Sequence, residues 1–179
     1  MIDFGVLPVD EAQAYCEALV AGIPERRAWL RSTVAATGGP VDACDSGRDG
    51  LGPLWAWLVG QIDAPEDGGT APPGRPPWYS PERANPHLSD RALWLIDGVG
   101  THLAEIVRAA VPDAHWAVYR VAARLRDVNQ HRTMLHGLPG QPADPVQMVY
   151  GEVIGKVVHG EPHRPDALVR LYDHLVGQT

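Results

Sequence analysis

The sequence predicts a mainly helical α+β fold, in a single domain of 179 residues with a small antiparallel β-sheet. Two patterns support this fold class. Apolar residues recur at intervals of three and four along most of the chain, which is typical of helices with one buried face. Alternation of apolar and polar residues, which is typical of a strand, is confined to a short stretch after residue 114. The length suffices for one hydrophobic core and is short for two.

Proline and glycine bound the first two predicted helices. Pro8 begins the first helix and Gly22 ends it. Pro24 then suits the first turn of a second helix, which ends at residues 38–40, where two glycines precede a proline. These signals predict a helical hairpin with a very short connection.

A third helix is predicted around residues 54–62, with Pro53 in its first turn. Its apolar stripe is formed by Trp55, Leu58, Val59 and Ile62. Trp57 lies off that stripe, so we expect it either to pack under the following loop or to stay partly exposed. If it is exposed, it is a candidate anchor for a partner protein.

Residues 63–87 are predicted to form a long internal loop rich in proline and glycine. Its prolines remove backbone donors at short intervals, so no regular element can form there. Trp78 and Tyr79 lie in the second half of the loop, and we expect this half to pack back onto the domain. The alternative is a linker between two domains.

The stretch from residue 88 to residue 122 organises the rest of the chain. A central helix is predicted over residues 89–110, where the apolar positions have helical spacing: Ala92, Leu95, Ile96, Val99, Leu103, Ile106 and Ala110. Gly98 and Gly100 each cost about 1 kcal/mol relative to alanine inside a helix, so they indicate the close approach of another backbone. A strand over 115–122, a turn over 127–130 and a second strand over 132–136 predict the sheet.

Two further helices are predicted after the sheet. Asp144 can accept an amide hydrogen bond as the N-cap of the first, and Pro145 suits its first helical position. Gly160 ends that helix. The last helix begins near Pro165 and buries one apolar face, formed by Leu168, Leu171, Tyr172 and Leu175.

Composition and charge narrow the function classes. The net charge is −7, Lys156 is the only lysine and no basic run occurs, which argues against nucleic-acid binding. No apolar run approaches the roughly 20 residues that span a bilayer, so no membrane association is expected. Cys16 and Cys44 form no Cys-x-x-Cys motif, and the first residues lack the pattern of a signal peptide. We therefore expect a cytoplasmic protein.

The sequence contains no catalytic, cofactor or local metal signature. No nucleophile elbow, phosphate-binding glycine loop, dinucleotide fingerprint or His-Glu-x-x-His motif occurs, so no cofactor is expected. His131 and His136 are five residues apart, which separates their side chains on a helix and on a strand alike. His159 and His163 have helical ligand spacing, but a glycine and a proline lie between them. A metal site assembled from distant segments stays open.

Asp97 interrupts the apolar run over residues 93–99 of the central helix. A carboxylate buried there needs a charged or hydrogen-bonding partner. The structural interpretation is an ion pair with an arginine or a bond to backbone amides of the loop. The alternative is a role as general acid or base.

The candidate binding residues lie in the sheet region and in the loop. Aromatic and hydrogen-bonding side chains are concentrated there, and aromatic residues dominate the energetics of protein interfaces. The candidates are Trp116, Tyr119, Asn129, Gln130 and His131 near the sheet, and Trp78 and Tyr79 in the loop. A turn stabilised by residues 129–131 is the structural alternative.

Five segments of the chain are RAWLRSTVAATGG at 27–39, LGPLWAW at 51–57, LWLIDGV at 93–99, PDAHWAV at 112–118 and NQH at 129–131. Together they resemble a family of small uncharacterised cytoplasmic proteins from high-GC actinobacteria. The resemblance covers most of the chain and implies one cytoplasmic domain, but it carries no activity, cofactor or catalytic residue over to this chain. At the level of the fold alone, the order of elements is also similar to small bacterial immunity-type and adaptor proteins.

These observations favour a non-catalytic protein-binding or interaction domain, adaptor-like or immunity-like, that binds a partner protein or a second copy of itself. The alternative is a small enzyme with a pocket between the sheet and the Pro-rich loop. That enzyme would use Asp97 or His131 together with Tyr119 and an arginine. It requires these groups to meet in one cavity.

Overall fold

The computed structural model describes residues 4–62, 87–122, 127–162 and 164–178. These residues form a mainly helical α+β fold with a two-stranded antiparallel sheet, which confirms the predicted fold class. The elements, in chain order, are α1 Val9–Ala21, α2 Ile23–Ala36, α3 Leu51–Ile62, α4 Asp90–Ala110, β1 His115–Val118, β2 Thr133–His136, α5 Pro145–His159 and α6 Ala167–Leu175. Three short 3-10 helices, Phe4–Val6, Val41–Cys44 and Gly47–Gly50, lie between them or before them.

Helix α4 lies at the centre of the fold and packs against α2, α3, α5 and α6. Ser89 caps its first turn, because its hydroxyl accepts a hydrogen bond of 3.1 Å from the amide of Ala92. Leu95, Ile96, Val99 and Leu103 are fully buried. The central position predicted for this helix is therefore confirmed.

Gly100 lets α5 approach α4 closely. A Cβ atom at this position would lie 2.5 Å from the Cα of Val146, which is too short for any real contact. A Cβ atom at Gly98 would instead meet side chains, at 3.3 Å from Trp29 and 3.4 Å from Leu30. Of these two glycines, only Gly100 thus shows the expected close approach of a second backbone.

The sheet is a hairpin in which Trp116 faces Leu135 and Val118 faces Thr133. Its ladder continues past β1, because the amide of Tyr119 donates to the carbonyl of Arg132 at 2.8 Å. The predicted first strand extended to residue 122, but β1 ends at Val118. Beyond this point a side chain replaces the partner strand. The side-chain oxygen of Gln130 accepts a hydrogen bond of 2.9 Å from the Val121 amide.

Trp57 is buried, with 8% of its surface exposed. Its indole N–H donates to the hydroxyl of Thr37 at 2.9 Å. The same ring packs on Gly39, where a Cβ would come within 2.5 Å of it. Of the two alternatives for Trp57, partial exposure is therefore wrong, and Trp57 is not a surface anchor. Its side chain instead joins α3 to the end of α2. The Pro-rich loop over 63–86 lies outside the described residues.

Candidate functional site

Two openings lie next to each other around β2 and the start of α5. The first, which we call the inner cavity, has a volume of about 30 Å³ and lies between the N-terminal segment, α1, α4, the hairpin and α5. It is lined by Phe4, Tyr15, Leu19, Thr101, Trp116, Arg132, Thr133, Asp144 and Val146. At this size it holds one or two atoms of a ligand at most.

The second opening, which we call the groove, is an open depression of about 550 Å³. It is lined by residues of the hairpin, the following loop, α5 and α6: Asn129, Arg132, Met134, Leu138, Gly140, Gln141, Pro142, Ala143, Asp144, Gln147, Met148, His174 and Leu175. Its volume lies in the usual range of ligand pockets, roughly 300–1,000 Å³. The groove is therefore large enough to receive a ligand.

Arg132 and Asp144 line both the inner cavity and the groove. Local structure fixes both positions. The carbonyl of Arg132 is held by the Tyr119 amide just before β2 begins. Asp144 is the N-cap of α5, and its carboxylate accepts the amide of Gln147 at 3.2 Å.

Arg132 is half-buried, and its guanidinium makes only weak contacts. One of its N–H groups lies 3.4 Å from the side-chain oxygen of Asn129, which is a long hydrogen bond. Its carbon lies 5.9 Å from the centre of the Phe4 ring, within the range of a cation–π contact. Within the described ranges, no carboxylate lies within ion-pair distance of this arginine.

Asp144 is engaged with the start of α5. Burial raises the pKa of its carboxyl, while the amides of Gln147 and Val146 and the charge of Arg132 oppose that rise. The N-terminal amides of a helix favour negative charge. This carboxylate therefore acts mainly as a helix cap and leaves the Arg132 guanidinium without a close ionic partner.

The remaining walls of the groove combine an apolar floor with polar edges. Met134 and Leu175 are buried, and Met148 and Leu138 are half-buried. Gln141 and His174 are exposed at the edges. Methionine side chains are flexible and polarizable, so such a floor can adapt to apolar groups of different shape.

Two of the candidate binding residues near the sheet line these openings. Trp116 lines the inner cavity, and its indole N–H lies 3.3 Å from a carboxylate oxygen of Glu105. Asn129 lines the groove beside Arg132. Trp116 thus shares the inner cavity with Arg132, and Asn129 shares the groove with it.

The other three candidates near the sheet hold the hairpin together. Tyr119 donates its phenolic hydrogen to Asp127 at 3.2 Å, and Gln130 binds the Val121 amide. The Nδ1–H of His131 donates to the carbonyl of Leu7 at 2.9 Å. These contacts match the stabilised turn that the sequence left as an alternative. Trp78 and Tyr79 lie outside the described residues.

Asp97 is buried and bound to Arg26, whose Nη1 lies 3.0 and 2.9 Å from its two carboxylate oxygens. Burial raises its pKa to about 6, although the charge of Arg26 opposes this shift. Asp97, Tyr119 and His131 each bind a different partner, and none of them lines the inner cavity or the groove. The residues that the enzyme hypothesis names therefore do not meet in either of these two openings.

Sequence reasoning missed Arg132, Met134 and Met148 as site residues. One signal could have indicated the first two: they are two positions apart in the second predicted strand, so their side chains share a face. No local signal links them to Met148 or His174, because these residues come from two later helices.

No protein-family model matches the chain, and neither a curated protein nor a solved structure shows significant similarity to it. Among the described residues, no three His, Cys, Asp or Glu side chains lie close enough together to hold a metal ion. No helix in the described ranges is long and apolar enough to cross a membrane.

Proposed function

We propose that the protein is a non-catalytic binding domain and that it receives a segment of a partner protein in the groove. The observation behind this proposal is the make-up of the groove itself. An apolar floor with Met134 and Met148 adjoins a guanidinium, Arg132, that has no carboxylate partner within the described part of the chain. Such a surface suits a ligand with an apolar group next to a polar or charged one.

A binding role is favoured over catalysis by how the acid and base candidates are used. Asp97 neutralises Arg26, Tyr119 binds Asp127, and His131 binds the carbonyl of Leu7. The contacts of Asp97 and His131 join distant segments of the chain, and the contact of Tyr119 lies within the hairpin. A group held in this way has a structural task and no free face toward the groove.

The proposed partner is a protein, with a second copy of the chain as the alternative occupant. The net charge of −7 supports a protein ligand over nucleic acid, whose phosphates attract basic surfaces. A cytoplasmic location is part of the proposal. It is supported by the two free cysteines, Cys16 and Cys44, which are both buried and unpaired with each other.

The test is peptide selection against the purified protein. Random dodecapeptides are displayed, selected on the wild-type chain and then synthesised, and their affinities are measured by fluorescence polarisation. Met148→Glu places a charge in the floor of the groove. Val157→Glu is the matched control, because residue 157 lies on the same helix, is 38% exposed and does not line the groove.

We expect the selected peptides to bind the wild type and the Val157→Glu variant equally and the Met148→Glu variant at least tenfold more weakly. Thermal unfolding of both variants checks that each is folded. Recovery of no peptide, or equal binding to both variants, would contradict the proposal. Trp78→Ala in the same assay tests whether the loop tryptophan adds to this surface.

A further inference from the structure

Arg132 and Met134 lie side by side in the groove. Arg132 lies just before β2, where its carbonyl still accepts the Tyr119 amide, and Met134 is the second residue of β2. In an extended chain, residues two positions apart point to the same face, roughly 7 Å apart. Both line the groove, whereas Thr133, which lies between them, lines the inner cavity. A cationic site and an apolar site therefore lie next to each other where the chain enters β2.

The cationic site is available for an anion. The described ion pairs show what an occupied arginine looks like here: Arg48 binds Asp173 at 2.7 Å, and Arg108 binds Glu105 at 2.9 Å. Arg132 has no such partner in the described residues: it makes one long hydrogen bond, to the amide oxygen of Asn129, and a cation–π contact with Phe4. Arg132 as a whole is half-buried, and hydrogen bonds between a guanidinium and a carboxylate are stronger than those between neutral groups.

Asp144 does not take this role. Its carboxylate accepts the Gln147 amide and faces the start of α5, where the helix dipole stabilises negative charge. The Asp144 carboxylate therefore lowers the positive potential near Arg132 but accepts no hydrogen bond from the guanidinium N–H groups.

We propose that the groove binds the free carboxyl terminus of a partner polypeptide that ends in an apolar residue. The terminal carboxylate would bind the Arg132 guanidinium, and the last side chain would pack on Met134 and Met148. Only at a chain end do a carboxylate and an apolar side chain share one α-carbon, which matches the adjacent positions of Arg132 and Met134. This inference rests on the proposed function and names its ligand.

The first test compares peptide ends on the unaltered protein. Two random libraries are selected in parallel, one with free carboxyl termini and one with both ends joined to the carrier. The enriched peptides are then synthesised as free acids and as C-terminal amides. We expect enrichment from the free-terminus library, with Leu, Met, Ile or Val as the last residue, and at least tenfold weaker binding of each amide.

The second test locates the carboxylate. Arg132→Gln should bind the free acid and the amide equally, at the affinity that the wild type shows for the amide. Arg132→Lys keeps the charge without the planar fork, so its affinity for the acid should fall between the two. Arg170→Gln removes a charge from an exposed position outside the groove and should leave the preference for the acid unchanged.

The outcomes separate this inference from the proposed function. Equal affinity of acid and amide for the wild type would overturn the carboxyl-terminus proposal while the groove still binds peptides. Enrichment of internal Asp or Glu from the second library, with no effect of amidation, would do the same. If neither library yields a binder that Met148→Glu weakens, both proposals fail.

Discussion

Arg26 on α2 and Asp97 on α4 form an ion pair in the interior, with their side chains only 14% and 8% exposed. One guanidinium nitrogen, Nη1, lies 3.0 and 2.9 Å from the two oxygens of the carboxylate. The two residues are 71 positions apart in the chain. The pair therefore joins the N-terminal helical hairpin to the central helix by charge as well as by packing.

Replacement of Arg26 by leucine should destabilise the protein by about 3 kcal/mol at pH 7.5, because it leaves a buried carboxylate without its partner. The double variant Arg26→Leu, Asp97→Asn removes the buried charge too and should recover at least half of that loss. Urea unfolding followed by tryptophan fluorescence gives both values. Equal costs for the single and the double variant would show that the lost packing of Arg26, and not the unpaired charge, is responsible.

Asp97 should make the stability depend on pH between about 4 and 6. Its pKa is raised from 3.8 to about 6 in the folded protein, mainly by burial. In this interval the native state binds more protons than the unfolded state, so the free energy of unfolding falls as the pH rises. The loss is on the order of 3 kcal/mol for a shift of this size.

Asp97→Asn removes this titration and should flatten the pH profile. Burial raises the pKa of Asp144 as well, so the wild-type profile contains a second contribution of the same sign. The difference between wild type and variant, measured by urea unfolding from pH 4 to pH 7.5, isolates Asp97. A difference that does not change across this interval would contradict the raised pKa.

The local signals in the sequence predicted the elements of this fold, because each depends on neighbouring residues. The helical spacing of α4 and the N-cap at Asp144 are both confirmed. Contacts between distant segments leave no local signal in the sequence. The sequence required a partner for Asp97 but could not choose Arg26 among the arginines, since that choice depends on how α2 crosses α4.

The candidate site was less predictable for the same reason. The aromatic and amide residues near the sheet indicated the right region, but Tyr119, Gln130 and His131 stabilise the hairpin. The groove is built from the hairpin, α5 and α6 together. Its floor can be recognised only after the two later helices have been placed against β2.

Gly100→Ala should destabilise the protein by roughly 3 kcal/mol, because its Cβ would meet the backbone of α5 and the two helices would have to separate. The distance to the Cα of Val146 would be 2.5 Å. Gly151→Ala is the matched control, since nothing lies within 4 Å of a Cβ at that position in α5. The control should stabilise the protein by about 0.5–1 kcal/mol through helix propensity.

Thermal and urea unfolding of the two glycine variants measure these opposite changes in the free energy of unfolding directly. If Gly100→Ala is as stable as the wild type, then α4 and α5 do not approach each other as closely in solution as the distance to Val146 requires.

His131 is the described non-glycine residue with a left-handed backbone, at φ 66°. Its ring also binds the carbonyl of Leu7, which ties the N-terminal segment to the hairpin. Asparagine tolerates the left-handed conformation but loses the ring contact, so His131→Asn should cost about 1 kcal/mol. Valine is β-branched and fits that conformation poorly, so His131→Val should cost at least about 2 kcal/mol more.

The His131→Asn variant also distinguishes a structural role of His131 from a binding role. Because His131 does not line the groove, His131→Asn should bind the selected peptides with wild-type affinity while its free energy of unfolding falls. Urea unfolding and fluorescence polarisation on one preparation give both quantities. A loss of peptide affinity in a variant that unfolds at the wild-type urea concentration would place His131 in the binding surface, as the aromatic and amide pattern around the sheet first indicated.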